Sequence, residues 1–243
     1  MSISKFNRVC ACLILLATPV QSGQWEDYSG TSVDRLADHL RLGGPGKDGI
    51  PALTKPDFVA AEEMDFFGDD ALVMGVYMHG IAKAYPEALG WWHEIINDEI
   101  GGQGISVTLC PLTGTAMNFN TTDAAGERFE LGVSGLLINS NLVMYDRRDD
   151  QTLYPQMIYT GFNSALAGEE LELLPIVATT WGMWKQMYPD TQIAVPTTGM
   201  GFYSSDRQQT YSNLDNYNRY PYGSYRTDLS LVRPVTTGLS TAV

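Results

Sequence analysis

Period-two alternation of apolar and polar residues, cut by glycine turns, recurs between residues 71 and 146 and commits this chain to short antiparallel strands. The stretch from His93 to Cys110 is the clearest case: "HEIINDEI", a turn "GGQG", then "ISVTLC". With Gly102 and Gln103 at the turn, Ile100 pairs with Ile105 and Ile95 with Cys110. One face then carries Ile96, Ile100, Ile105, Val107 and Leu109. The other carries His93, Asn97, Glu99, Ser106, Thr108 and Cys110, with Ile95 among them. Side chains alternate with period two, so a slip of one residue would mix the sets. In this register His93 and Cys110 are diagonal neighbours on one face.

Other segments extend the pattern. "ALVMGVYMHGIAKAYP" reads as a hairpin about His79-Gly80, and "TAMNFN", "RFELGVSG", "NLVMYD" and "LELLPIV" read as further strands. Helical patterns are few and short: "SVDRLADHLRL", "DFVAAEEMDFF" capped by Asp57, "PEALGWW", and "TTWGMWKQMYP" stopped at Pro189. "GGPGKDGIPALTKPDF" is a fixed irregular loop with Asp48 capping its turn. The sum is an α+β fold: one β-dominated domain of short antiparallel strands and hairpins, barrel-like in kind, with a few short helices.

The N-terminus has its own logic. Lys5 and Arg8 precede an apolar run from Val9 to Val20, and small Ser22 precedes Gly23. That is the pattern of a secretory signal peptide over residues 1–22. The run is about a dozen residues, short of the roughly 20 that span a bilayer. The expectation is an exported protein, periplasmic or extracellular, soluble once the leader is cleaved. Cys10 and Cys12 leave with the leader, so Cys110 is the one cysteine remaining and an internal disulfide is impossible. Without the leader, 13 basic residues face 28 acidic ones. A surplus of about 15 negative charges argues against nucleic acid and anionic membranes as partners. The expected organisation is a polar lead-in over 23–42, a β-rich domain over 43–197, and a Tyr/Asn-rich extension over 198–243 packed on that domain.

Six blocks occur in order: "GGPGKDGIPAL", "GIAKAYP", "WHEIINDEIGG", "VTLCPLTGTAMNF", "FELGVSGLLINSNLVMYDR" and "TTW..W...YPDT". Together they resemble a bacterial family catalogued as domain of unknown function 3179. The likeness runs from about Gly43 to Pro196, with an echo in "NRYPYGSYR". It implies export and, because the matching motif there usually reads Cys-Pro-Leu-Cys and in some members looks like a selenoprotein site, redox chemistry at a chalcogen. This chain departs from the pattern with Thr113 at the second cysteine, and with Ile138 and Asn141 where tyrosine and aspartate are usual.

The candidate site is therefore Cys110, with His93 and Thr113. A free thiol near pKa ~8.5 is mostly protonated at neutral pH, so a reactive one needs help. "TGTAMNF" reads as a strand, so no helix N-terminus is offered, and Pro111 holds Cys110 extended. His93 is the neighbour that the hairpin supplies, and Thr113 can donate a hydrogen bond. One thiol can be oxidised and resolved by an external thiol, but it cannot cycle as a dithiol. Alternatively, Cys110 and His93 are soft-metal ligands suited to copper, with Met117, His79, Glu94 or Asp98 as further donors. A third reading makes Cys110 a buried small residue in a non-catalytic binding or interaction protein that has lost the family's second cysteine. The partner is then an unknown small molecule, or on the redox reading a thiol. Glu94 falls on the apolar face, buried or at the sheet edge. Asp146 pairs with Arg147 or Arg148 as a surface ion pair, and Gln156 is placed to face a pocket. GxSxG, Walker, GxGxxG and HExxH patterns are absent from the sequence.

Overall fold

A computed structural model describes residues 33–65, 67–164 and 166–195. The leader and the Tyr/Asn-rich extension lie outside the described residues, as does the first half of the polar lead-in. The hairpin at His79-Gly80 forms as read: β4 (Leu72–Met78) meets β5 (Ile81–Pro86) through two residues at φ 53° and 78°. Both residues being left-handed matches the turn to the twist of the strands. The chain then makes α1 (Glu87–His93), β6 (Ile95–Ile100), β7 (Gln103–Cys110) and β8 (Thr115–Asn120).

The β6–β7 turn is Gly101-Gly102, not Gly102-Gln103, so Ile100 pairs with Gln103 and Ile95 with Thr108. The register is two residues away from the expected one. An even shift preserves the faces, so the apolar set survives intact. His93 is not in the strand. It closes α1, and Glu94 at φ 58° makes the break between helix and β6.

Other elements complete three sheets. β1 (Arg41–Leu42), β9 (Leu131–Ile138), β10 (Asn141–Asp146) and β11 (Leu153–Pro155) form the first, in the order β1-β9-β10-β11. The second runs β12-β8-β7-β6-β2, with β2 (Leu53–Thr54) and β12 (Leu173–Leu174). The third runs β13-β4-β5-β14-β3, with β13 (Val177–Thr180), β14 (Gln192–Val195) and β3 (Asp57–Ala60). All three are open, and no barrel closes among the described residues. The helix expected after Asp57 is instead β3 followed by one 3₁₀ turn, Ala61–Glu63. Its partner β14 comes from the far end of the domain, beyond any local pattern. "LELLPIV" splits at Pro175, giving β12 to one sheet and β13 to another. α2 (Trp181–Met187) forms where expected, capped by Thr180.

The second sheet is the middle layer. Val107, Leu109, Ile96 and Ile100 share a buried cluster with Met74, Val76 and Tyr85 of the third sheet. On its other face Ile95, Cys110 and Phe119 pack with Leu131, Val133, Leu142 and Met144 of the first. The half-polar face of the β6–β7 hairpin is thus buried too, with its polar groups paired. Asn97 donates to the Leu131 carbonyl at 2.9 Å and accepts from the Leu131 N–H at 3.0 Å, while Ser106 donates to its Oδ1. One side-chain amide thereby imitates a strand neighbour across the layers. Among the described residues no helix is long and apolar enough to cross a membrane.

Candidate functional site

Cys110 ends β7, and Pro111–Gly114 turn the chain into β8, with Cys110 paired to Thr115. Gly114 takes φ 63° there. Beside this turn lies the two-residue Asn139-Ser140 turn of β9–β10, with φ 50° and 61°. Its Ser140 carbonyl accepts a long contact from the Cys110 thiol at 3.7 Å. The sulfur belongs to the apolar cluster between the first and middle sheets and is 1% exposed. Burial pushes the thiol pKa up. Hydrogen bonds from the side chain and backbone of Thr113 and from Leu142 oppose that rise, and the negative charge of Glu94 adds to it.

Thr113 is thus brought against the sulfur, as expected. His93 is 1% exposed, and its Nδ1–H donates to the Pro51 carbonyl at 2.8 Å. A carbonyl can only accept, which places the neutral ring's proton on Nδ1. Burial lowers the imidazole pKa against the smaller opposing effect of that hydrogen bond. The described hydrogen bonds join the sulfur to Ser140, Thr113 and Leu142 and the imidazole to Pro51; none joins the two side chains to each other. Glu94 is buried, not at a sheet edge. Among the described residues no three His, Cys, Asp or Glu side chains group as a metal-ligand set.

Residues far apart in sequence converge here. Asn141 donates to Thr113 Oγ1 at 3.0 Å and to Gln156 Oε1 at 2.8 Å. Gln156, fully buried, donates to Thr108 Oγ1 at 2.8 Å and to the Thr115 carbonyl at 3.1 Å. Thr115 donates to Thr113 Oγ1 at 2.8 Å, and Thr108 to the Met117 carbonyl at 3.1 Å. Gln156 therefore faces this network and not a pocket. The network ties the first sheet to the middle one behind the motif turn, and its polar atoms are spent on each other. Asp146 likewise departs from expectation. Its carboxylate is fully buried and bidentate to Arg148, so this is not a surface pair.

Sequence reading missed a second locality. A cleft of about 520 Å³ opens where β6 runs past the end of β2 and the segment before β9. Thr54, Lys55, Asp98, Glu99, Arg128 and Glu130 line it. Asp98 breaks the apolar face of β6. Its Oδ2 accepts from Lys83 and from the Tyr85 hydroxyl, both at 2.7 Å. That charged residue between Ile96 and Ile100 was the visible signal. Opposite, Glu130 Oε2 accepts from Arg147 at 2.7 Å and from Thr54 at 3.1 Å.

The model of a family described as a protein of unknown function, DUF3179, matches residues 47–240. No curated protein and no solved structure matches the chain.

Proposed function

The chain belongs to the DUF3179 family, and on that premise we propose that it is an exported, non-catalytic binding protein in which the motif cysteine serves the core. One observation carries this reading: the Cys110 thiol is sealed in an apolar cluster and held protonated by burial and by Glu94. A nucleophile or metal ligand needs the thiolate, and this environment disfavours it. The satisfied network around Thr113 supports the same view, since its hydrogen bonds are directed inward. Export is supported by the leader pattern of residues 1–22.

The competing reading is one-thiol redox or copper chemistry at Cys110 with His93 and Thr113. The hydrogen bonds from Thr113 to the sulfur are the observation on its side. Alkylation with iodoacetamide across pH decides between them. The expected result is a thiol that labels only when the protein is unfolded in urea. Rapid labelling of the folded protein, with an apparent pKa below the free value of ~8.5 that is lost in His93→Ala, would overturn the proposal. So would stoichiometric copper retained after loading and lost in Cys110→Ala.

A further inference from the structure

The cleft beside β6 is charged yet balanced. Asp98, Glu99, Glu127 and Glu130 line it, with Lys55 and Arg128. Lys83 and Arg147 stand behind the wall, paired to Asp98 and Glu130 at 2.7 Å each, and Arg128 pairs with Glu99. Four carboxylates thus meet four cations. In a chain of net charge −13, this local neutrality is a distinct feature. A cationic guest would have to compete with Lys83, Arg128 and Arg147 for three of the carboxylates, and would find only that of Glu127 without a described cation. An anion would face those four carboxylates. An apolar guest finds little, because the Phe129 ring already carries the Arg148 guanidinium at 3.8 Å.

What remains is a set of unused hydrogen-bonding atoms with both polarities. The described bonds to Asp98 fall on Oδ2 and those to Glu130 on Oε2. Oδ1 of Asp98 and Oε1 of Glu130 are left as acceptors fixed by rigid neighbours. The ammonium of Lys55 has no described partner and stands at the same cleft as a donor. Adjacent hydroxyls of one molecule donate to a carboxylate and accept from an ammonium at once, so such a set suits vicinal diols. The volume, about 520 Å³, is that of a small-molecule site.

We infer that this cleft binds a neutral, hydroxyl-rich ligand of the saccharide class, held by Asp98, Glu130 and Lys55. The inference rests on the binding-protein reading above and gives it a ligand.

The test uses the mature protein on a glycan array. It is followed by ligand-observed NMR titration with the best array saccharide, and with glucose and maltose, spermidine and citrate as reference probes. Saturable binding of a saccharide is expected, weakened at least tenfold in Glu130→Gln and in Lys55→Ala. Lys55→Ala removes an exposed group with no described partner, so it keeps the fold and a thermal midpoint near wild type. No saturable saccharide binding would overturn the inference. So would tighter binding of spermidine or citrate than of any saccharide, or saccharide affinity unchanged in both variants. These outcomes are separable from the thiol test. An inert thiol with no saccharide binding sinks only the ligand class, whereas a reactive low-pKa thiol sinks the non-catalytic reading whatever the cleft binds.

Discussion

At the level of single side chains, burial decides what each titratable group can do. His93 stays neutral in the folded protein because burial disfavours its cation. The unfolded chain, by contrast, takes up that proton near pH ~6.5. As pH falls through that value the unfolded state gains a proton that the folded state refuses, so stability falls with pH until folded His93 is itself protonated. Urea midpoints between pH 7 and 5.5 are expected to decline in the wild type and to flatten in His93→Asn, whose amide can still donate to Pro51. An unchanged slope in that variant would assign the acid sensitivity elsewhere. Asp146 offers a second case. It is fully buried and bidentate to Arg148, which is about one-third exposed. Asp146→Ala leaves the guanidinium with only the longer Asp123 contact at 3.5 Å and the Arg148 N–H without its acceptor. A loss of about 2–3 kcal/mol is expected by chemical denaturation, below the range for a fully buried pair because Arg148 can rehydrate.

Elements show where sequence pattern suffices and where it stops. The two faces of the β6–β7 hairpin were legible because alternation is a local property, and they hold despite a two-residue error in register. His93 was misplaced because "WWHEI" carries no helix stop; the break is the left-handed φ of Glu94, which nothing in its side chain announces. Cys110 and Thr113 were legible as neighbours because three residues across a tight turn must meet. Asn141, which bonds Thr113, and Gln156, which bonds Asn141, were not, since both arrive from the first sheet through long-range pairing. Their network is the joint between two layers, and its loss has a definite signature. Gln156→Leu removes the acceptor for Asn141 and the donor to Thr108 and Thr115. Each buried polar atom left unpaired costs about 1–3 kcal/mol, so a total of about 2–4 kcal/mol is expected in urea unfolding. Adding Asn141→Leu and Thr113→Val should recover part of that loss, because the Asn141 amide is then no longer left unpaired, while Thr108 and Thr115 keep their hydroxyls. A variant as stable as wild type would show the network to be incidental.

Across the whole molecule, the middle sheet is the reason three open sheets behave as one body. Its β6–β7 hairpin contributes Ile96, Ile100, Val107 and Leu109 to the core shared with the third sheet, and Ile95 and Cys110 to the core shared with the first. Neither outer sheet can detach without exposing one face of the same hairpin, and among the described residues no disulfide holds a detached layer in place, since Cys110 is free. Unfolding should therefore be a single cooperative transition, although the described region alone exceeds the size at which small domains are reliably two-state. Two probes placed in different layers can check this. Trp181 and Trp184 report on the core of the third sheet, while a fluorophore on exposed Met157→Cys, in the turn after β11, reports on the first. The two urea curves are expected to superimpose. A lesion in either interface should then move both together: Gln156→Leu on one side, or on the other Leu109→Ala, which empties space in the core shared with the third sheet. If Gln156→Leu shifted the fluorophore's curve and left the tryptophan curve in place, the first sheet would be an independently folding layer, and the middle sheet would not couple the three.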